Sequence, residues 1–192
     1  MKQICNPKIQ EEINNIYQNK EKIGLDKAYM LIAHLASFNS NDPHSQTGSV
    51  IISKDNEIVS IGWNEMPFPG NFPWIREGEE ENTKYPYVVH AERMAIHNAI
   101  LDNNTEKLND AIMYVNLFPC NQCMQQVTMY KLKGLYYDSD KYHDATFSKA
   151  ARIIMKEYKK YKDNFICKQI TIDKDKLSEY QNKYSKILQK NK

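Results

Sequence analysis

The chain is organised around the stretch from Tyr87 to Cys123, which has the sequence YVVHAERMAIHNAILDNNTEKLNDAIMYVNLFPCNQC. This stretch contains a His-x-Glu pair, His90 and Glu92, and ends in a Pro-Cys-x-x-Cys motif. One imidazole and two thiolates are strong ligands for a borderline-soft divalent metal such as Zn²⁺. Three protein ligands leave the fourth tetrahedral position open for water, which is typical of a catalytic zinc site.

The motif assigns a role to each of these side chains. We expect His90, Cys120 and Cys123 to bind one zinc ion per chain. Glu92 follows the histidine by two positions, so it would lie close to the metal without being a ligand, and we predict that it carries protons. The combination of His-x-Glu with Pro-Cys-x-x-Cys is typical of nucleobase deaminases.

Two other kinds of site also contain a Cys-x-x-Cys motif: redox dithiols and structural zinc knuckles. A structural site needs a fourth Cys or His and no nearby glutamate, whereas a redox dithiol needs no His-x-Glu pair. Neither His44 nor His143 has ligand spacing, although a fourth ligand from either would close the site. Cys5 and Cys167 are not expected to be ligands.

Length and composition indicate one globular domain and a small-molecule substrate. The 192 residues are 41% hydrophobic and 26% charged, without a run of about 18 apolar residues that could cross a bilayer. The first residues lack the apolar core of a secretory signal, so we expect a cytoplasmic protein with no membrane partner. With 26 basic and 24 acidic side chains the formal charge is +2, too small to favour a nucleic acid.

Hydrophobic periodicity predicts helices that alternate with strands. This order indicates an α/β protein with three layers, α/β/α, and a five-stranded mixed sheet. Between residues 64 and 86, four prolines, two glycines and an acidic run predict a long irregular loop. The predicted helices begin near Ile9, Asp26, His90, Cys120, Ala145 and Leu177, and the predicted strands are 49–53, 58–63, 111–117, 135–138 and 165–172. The first of these helices is predicted to end before Gly24, and the one from Cys120 is predicted to end near Lys133, where Gly134 stops it.

Beyond the metal motif, the chain resembles the zinc-dependent deoxycytidylate (dCMP) deaminases of the cytidine deaminase-like superfamily over about residues 26 to 155. The resemblance implies the cytidine deaminase-like fold. Residues 1–165 would then form a CMP/dCMP-type deaminase domain with an N-terminal helix, and residues 166–192 the last strand and C-terminal helix of the same domain. The segments that carry the resemblance are Asp42 to Gly48, Ile61 to Pro67, Thr83 to Tyr87, Leu117 to Cys123 and Ser139 to Asp144.

The resemblance implies deamination of dCMP to dUMP with release of ammonia, which supplies dUMP for thymidylate synthesis. Glu92 would take a proton from the zinc-activated water, deliver it to ring N3 and help the 4-amino group leave. The family pattern places the Asn64 side chain on the sugar or phosphate side of the substrate and the backbone near Ala91 on the base edge. Tyr142, with Lys141 beside it, is a candidate for the sugar-phosphate end.

Regulation and assembly are also implied by the resemblance. Many members of the family bind dCTP and dTTP as opposing effectors, and homo-oligomers, commonly hexamers, are expected. Glu65 stands where the family usually has glycine in the effector loop. Its carboxylate would repel a triphosphate unless a basic group or Mg²⁺ intervenes, so we expect Mg²⁺ only where such an effector binds.

Two other functions stay open at this point. The chain could deaminate another cytosine or adenine nucleoside or nucleotide, including adenosine in transfer RNA, which is read as a flipped base. It could also be a catalytically silent nucleotide-binding module, which has no need of Glu92.

Overall fold

The structure is a computed structural model that describes residues 2, 3 and 5–188. Among these residues, no helix combines the length and the apolar character that crossing a membrane requires. The helices are α1 Pro7–Gln18, α2 Lys20–Ile23, α3 Leu25–Ser37, α4 Ala91–Leu101, α5 Asn121–Met129, α6 Thr146–Tyr161 and α7 Lys174–Leu188. The strands are β1 Gly48–Ile52, β2 Ile58–Trp63, β3 Ile112–Leu117, β4 Gly134–Ser139 and β5 Ile166–Gln169.

The five strands form one mixed sheet in the order β2-β1-β3-β4-β5, so the predicted sheet is confirmed. Strand β1 is antiparallel to both β2 and β3, whereas β3, β4 and β5 run parallel. Parallel neighbours need a crossover connection, which α5 and α6 provide. The carboxyl ends of β3 and β4 therefore lie at the same edge of the sheet, where Leu117 pairs with Ser139.

Helices cover both faces of the sheet, which gives the predicted three layers. Strand residues alternate between the faces: Val50 and Ile52 point into one core, and Ile51 points into the other. The first core contains Ile9 and Ile13 of α1, Ile32 and Leu35 of α3, and Tyr184 of α7. The second core contains Ala95 and Ala99 of α4, Met124 and Val127 of α5, and Ala151 of α6.

Strand β2 and helix α4 approach each other very closely at Gly62. A Cβ atom there would lie 2.3 Å from the backbone nitrogen of Ala95 and 2.6 Å from the carbonyl oxygen of Ala91. The Ser60 hydroxyl donates to the Ala95 carbonyl at 2.7 Å, and the Asn98 amide donates to the Ile61 carbonyl at 2.7 Å. These contacts fix the position of α4, and with it the segment around His90.

The predicted boundaries differ from the structure where a local contact ends an element. The first predicted helix is broken at Asn19, whose amide donates to the carbonyl of Asn15 at 2.9 Å. Helix α5 ends at Met129, before the predicted end near Lys133, because Lys131 has a φ of 55°. The last strand is limited to Ile166–Gln169 rather than 165–172.

Candidate active site

The structure brings the three predicted ligands together at the starts of two helices. His90 is the N-cap residue of α4, Cys120 is the N-cap residue of α5, and Cys123 lies in the first turn of α5. The Nδ1 atom of His90 is 3.4 Å from the Sγ atom of Cys120 and 3.4 Å from that of Cys123. The three ligand atoms lie within 4.8 Å of one another, so one metal ion can contact all of them.

The electrostatics of the cluster favour a thiolate at Cys120 and the neutral thiol at Cys123. A hydrogen bond from Cys123, with the nearby imidazole of His90, lowers the pKa of Cys120 to about 4. The proximity of Cys120 together with burial raises the pKa of Cys123. Burial opposes the charged form of His90, but the hydrogen bond with Cys120 and the charges of Glu92 and Cys120 together outweigh burial and raise the histidine pKa. The helix N-terminus at Cys120 adds its positive dipole end, which also stabilises a thiolate.

The donor set fits a zinc ion. Two sulfur atoms and one imidazole nitrogen are the ligands that Zn²⁺ prefers, and a set of three leaves one coordination position open. Within the described part of the chain, this is the one group of three or more His, Cys, Asp or Glu side chains close enough together to hold a metal ion. His44 and His143 are not part of it; the Nδ1 atom of His143 hydrogen bonds with Asp140 instead.

The remaining two cysteines lie elsewhere, as the sequence predicts. Cys5 accepts a hydrogen bond from the amide of Asn39, and burial raises its pKa. Cys167 packs against the core beneath α4, α5 and α6, and burial raises its pKa to about 11. Neither thiol contributes to the His90 cluster.

Glu92 lies in the first turn of α4, and only 3% of its surface is exposed. Its carboxyl group interacts with the thiol of Cys123 and with the charge of His90. Burial disfavours the carboxylate and raises the pKa of Glu92. A buried carboxyl group beside the ligand cluster, yet outside the ligand set, is suited to accept and return a proton.

The structure shows the contacts of Ala91 and Asn64, two of the four predicted substrate-binding residues. Ala91 is the fully buried first residue of α4, so its backbone lies directly between His90 and Glu92. The Oδ1 atom of Asn64 accepts from the backbone nitrogen of Thr47 at 2.7 Å. Its Nδ2 atom donates to a carboxylate oxygen of Asp42 and to the carbonyl of Ser45, both at 3.0 Å. Asn64 therefore holds the turn before β1, and its substrate contact stays a prediction.

A buried ion pair supports the same turn. The Nζ atom of Lys84 contacts the Asp42 carboxylate, and their side chains are 5% and 0% exposed. The other carboxylate oxygen of Asp42 accepts from the backbone nitrogen atoms of His44 and Ser45. Sequence reasoning assigned no role to this pair, because 42 residues separate its members and neither shows a periodic signal.

The other two predicted substrate contacts follow β4. The Nζ atom of Lys141 lies 5.0 Å from the ring centroid of Tyr142. The Tyr142 hydroxyl is 3.1 Å from the Nη2 atom of Arg76, and that atom is 3.2 Å from the Ser45 hydroxyl. Sequence reasoning missed Arg76 because the loop that carries it has no periodicity. Its single signal was its place as the one arginine between residues 64 and 86.

Burial and hydrogen bonding act against each other on Tyr142. Partial burial disfavours its phenolate, but hydrogen bonds with Arg76 and Ser45 and the charge of Lys141 outweigh burial. The pKa of Tyr142 is therefore held below its usual value. The positive charges around this hydroxyl indicate a local environment that favours an anion.

Two backbone contacts join these surroundings to the ligand cluster. Glu65 pairs with Val89, the residue before His90, in an antiparallel bridge. The backbone nitrogen of Phe118, two positions before Cys120, donates to the carbonyl of Ser139 at 2.8 Å. The loop after β2 and the segment after β4 are consequently each bonded to a segment that carries candidate ligands.

A mixed sheet between helices, with a His-Cys-Cys cluster and a buried glutamate at two helix starts, defines the class of zinc-dependent hydrolytic deaminases. A family model described as the cytidine and deoxycytidylate deaminase zinc-binding region matches residues 24–139. The chain belongs to this family of deaminases.

Individual relatives agree with that assignment. Deoxycytidylate deaminase of Homo sapiens is 39% identical over 156 residues, which cover 78% of this chain and 85% of the human protein. Deoxycytidylate deaminase of Mus musculus is 42% identical over 132 residues, which cover 67% of this chain and 72% of the mouse protein. A dCMP deaminase from the cyanophage S-TIM5, solved with dCMP and dUMP, has a TM-score of 0.59 over 76% of this chain and 96% of that chain. At 21% identity, that structure supports the fold.

Proposed function

We propose that the chain hydrolyses dCMP to dUMP and ammonia, and so supplies dUMP for thymidylate synthesis. The observation that carries this proposal is the cluster of His90, Cys120 and Cys123 beside the buried Glu92. The substrate is supported by the two mammalian relatives, which are named deoxycytidylate deaminases. The cyanophage protein of the same fold, which is solved with dCMP and dUMP, is consistent with that choice.

In the proposed mechanism, the ligand cluster holds the metal and Glu92 transfers the protons. When bound, a zinc ion held by His90, Cys120 and Cys123 supplies a Lewis acid that makes water available as a nucleophile near neutral pH. Glu92 accepts a proton from the water that attacks C4, and it delivers this proton to ring N3 of the cytosine. It then moves the second proton of that water, now on the new C4 hydroxyl, to the 4-amino group, so that the C4–N bond breaks and ammonia leaves. The burial of Glu92 keeps bulk water away from these transfers.

The substrate is positioned by the groups around the cluster. The backbone near Ala91 would contact the base edge, since it lies between the candidate ligand His90 and Glu92. Lys141 and Tyr142 would face the sugar-phosphate end, which is supported by the positive surroundings of the Tyr142 hydroxyl. Asn64 would act on the same side, where its amide already fixes the turn that carries Ser45.

The substrate assignment is tested by ammonia release from dCMP, deoxycytidine and transfer RNA under the same conditions. We expect dCMP to be the preferred substrate by kcat/KM. Activity on deoxycytidine or transfer RNA without activity on dCMP would reject dCMP in favour of another base-containing substrate. Absence of activity on all three, with zinc bound, would favour the silent nucleotide-binding module.

The role of Glu92 is tested with the Glu92→Gln variant, which keeps the shape of the side chain but cannot accept the proton. We expect zinc content and melting temperature close to those of the unmodified protein, with kcat lower by several orders of magnitude. Glu106→Gln, at an exposed glutamate outside the site, serves as the control and should retain full activity. Near-normal turnover by Glu92→Gln would contradict the assigned role.

Assembly and regulation form a separate part of the proposal. A homo-oligomer, with a hexamer implied by the resemblance, is supported by large apolar side chains exposed on α5 and α6; Met129 is 71% exposed and Ile153 is 64% exposed. Light scattering during gel filtration tests this. Regulation by dCTP and dTTP, with Mg²⁺ accompanying the triphosphate, stays a prediction. Glu65 weighs against it, since Asn41 fixes its carboxyl group at 2.9 Å in the effector loop.

The domain boundaries and the location in the cell stay predictions as well. We propose that residues 1–165 and 166–192 form one domain, of which residues 1, 4 and 189–192 lie outside the described residues. Support comes from Ile170, Ile172 and Tyr184, which pack in the same core as α1 and α3. The expected cytoplasmic location rests on the sequence alone.

A further inference from the structure

The side chain of Gln3 pairs with the main chain of Trp63 in both directions, although 60 residues separate them. Its Nε2 atom donates to the Trp63 carbonyl at 2.8 Å, and its Oε1 atom accepts from the Trp63 backbone nitrogen at 3.0 Å. A carboxamide has one donor side and one acceptor side, as a peptide group has. Gln3 therefore binds Trp63 in the way that a neighbouring strand would.

Trp63 needs such a partner because it ends β2, the edge strand of the sheet. In an antiparallel pair, alternate residues direct their main-chain groups away from the neighbouring strand. The Asn98 amide donates to the outward carbonyl of Ile61 at 2.7 Å, and Gln3 occupies both groups of Trp63. Trp63 is only 5% exposed, and buried main-chain groups without a partner are costly. Gln3 consequently satisfies the last main-chain groups of an otherwise open edge.

Two further contacts hold the N-terminal segment, which we define as residues 2, 3, 5 and 6. The Nζ atom of Lys2 lies 2.6 Å from the carboxylate of Asp102, the residue that caps the end of α4. The backbone nitrogen of Asn6 donates to the Oδ1 atom of Asn39 at 2.8 Å, two positions after α3. The N-terminal segment is therefore attached to α4, to β2 and to the chain that follows α3.

The N-terminal segment reaches Asn64 by two routes. The first is direct, since Asn64 follows Trp63 in the chain. The second runs through Asn39, which precedes Ser40, and the Ser40 hydroxyl donates to the Asn64 carbonyl at 2.7 Å. Both routes act on the main chain of residues 63 and 64, from which the Asn64 side chain projects.

The same stretch of main chain continues to the candidate metal centre. Glu65 exchanges two backbone hydrogen bonds with Val89, at 3.1 Å and 2.9 Å, and Val89 precedes His90. Neighbouring segments thus hold Asn64 and Glu65, whereas Trp63 depends on the side chain of Gln3. A shift at Trp63 would be passed along the chain towards the residue before His90.

We propose that Gln3 is a positioning residue for substrate binding, a role that rests on the proposed function. Gln3 holds the end of β2, so that Asn64 and the turn that its side chain bonds keep their place at the substrate site. Loss of the two bonds lets the end of β2 leave this position for part of the time. A site that is competent for only a fraction of the time binds its ligand correspondingly more weakly. Gln3 takes no part in the proton transfers of Glu92, so KM should change and kcat should not.

The test measures the kinetics of dCMP deamination in Gln3→Met and Gln3→Glu. Methionine matches glutamine in length without its donor or acceptor, so KM for dCMP should rise about 5- to 20-fold, with kcat within about twofold. Glutamate sets a negative oxygen against the Trp63 carbonyl and should raise KM at least as much. Gln10→Met makes the same change in α1, where the carboxamide contacts Asn14, and should leave KM and kcat unchanged.

Three kinetic outcomes would overturn the proposal. An unchanged KM in Gln3→Met would show that the end of β2 keeps its position without Gln3. A fall in kcat together with a loss of zinc would assign Gln3 a purely structural role. A normal KM in Gln3→Glu would show that the bond to the Trp63 carbonyl is not needed. Zinc content and melting temperature are therefore measured on every variant.

Two readouts need no turnover and separate this proposal from the proposed function. Gln3→Met should bind dUMP about 5- to 20-fold more weakly by calorimetry. Its backbone amides at residues 63–65 should exchange hydrogen faster, with those of Met113 and Leu135 in the central strands unchanged. If the unmodified protein does not deaminate dCMP, the proposed function fails, yet these two results together would still assign the positioning role to Gln3. Equal affinities of both proteins for dUMP, or unchanged exchange at residues 63–65, would reject the proposal in either case.

Discussion

Lys84 and Asp42 form an ion pair that is almost completely removed from solvent, with 5% and 0% of their side chains exposed. Burying either charge alone costs several kcal/mol, and the mutual attraction in a low dielectric offsets that cost only while both partners are present. Asp42 also accepts hydrogen bonds from two backbone nitrogen atoms and from the amide of Asn64. The pair therefore holds the turn before β1 to the loop after β2.

We expect Lys84→Met to lower the free energy of unfolding by about 3–5 kcal/mol, because it leaves the carboxylate of Asp42 buried without its counter-charge. Urea denaturation measures the difference. Lys107→Met, which removes a partner of the exposed Glu57, is the matched control and should cost less than about 1 kcal/mol. Equal small effects of the two substitutions would show that the Asp42 charge is compensated by the backbone alone.

Asp140 links the end of β4 to α6 through Arg152. Partial burial favours its neutral acid, but hydrogen bonds with His143 and Arg152 outweigh burial and hold the pKa of Asp140 below its usual value. A carboxyl group with a lowered folded-state pKa stabilises the protein fully above its unfolded pKa of about 3.9, and this contribution is lost as the pH falls through the folded-state value.

Arg152→Gln should therefore destabilise the protein near neutral pH, and the difference from the unmodified protein should shrink as the pH falls below about 4. Urea denaturation followed by circular dichroism at several pH values measures this. Lys160→Gln removes the partner of the fully exposed Glu157. The change in stability that it causes should depend little on pH. A difference that stays constant with pH would assign the effect of Arg152 to its contact with the Phe118 ring, at 3.9 Å.

At the scale of elements, the close packing of β2 against α4 requires a residue without a side chain at position 62, which is Gly62. Gly62→Ala would place a methyl group 2.3 Å from the backbone nitrogen of Ala95 in α4. A backbone atom cannot move aside as the end of a flexible side chain can. We expect a loss of about 1–3 kcal/mol or more in stability and a lower zinc content, because α4 carries His90. Gly134→Ala meets its nearest atom at 3.3 Å and should be tolerated better. Normal zinc content in Gly62→Ala would show that His90 is positioned independently of β2.

The elements themselves could largely be predicted from the sequence. Helices α3 to α6 and all five strands carry clear hydrophobic periodicity, and a mixed sheet follows from their order. The positions of His90 and Cys120 at helix starts were also predictable, since Pro119 and the following Gly134 bracket the second of these helices. The positions of helices, strands and helix ends depend on residues close together in the chain, so the sequence alone contains the information that predicts them.

Contacts across the long loop could not be predicted in this way. Arg76 reaches Tyr142 over 66 residues and Lys84 reaches Asp42 over 42 residues, and no periodicity constrains residues 64–86. Asn64 was assigned to the substrate because family members place an asparagine there, whereas its bonds to Asp42 and Ser45 appear only in the folded chain. Loop side chains are positioned by tertiary contacts, and a single sequence does not encode those locally.

At the scale of the whole molecule, the candidate metal centre joins two parts of the fold. Helix α4 packs on β2 and supplies His90, whereas α5 packs on α6 and supplies both cysteines. Strand β3 lies between these helices in the chain, and its pairing with β4 fixes where α5 begins. A zinc ion bound at both helix starts would therefore cross-link the two parts, so that metal binding contributes to folding as well as to catalysis.

Removal of zinc by a chelator should accordingly lower the melting temperature of the whole domain. A ligand present at about 1,000 times its Kd stabilises the folded state by about 4 kcal/mol, which corresponds to roughly 8–16 °C for a protein of this size. Differential scanning calorimetry with and without chelator measures the shift, and added zinc should reverse it. Cys123→Ser is the matched control: without one of the two thiolates it should melt lower from the start and respond little to the chelator. An unchanged melting temperature after measured loss of zinc would mean that the sheet and its two cores position α4 and α5 without the metal.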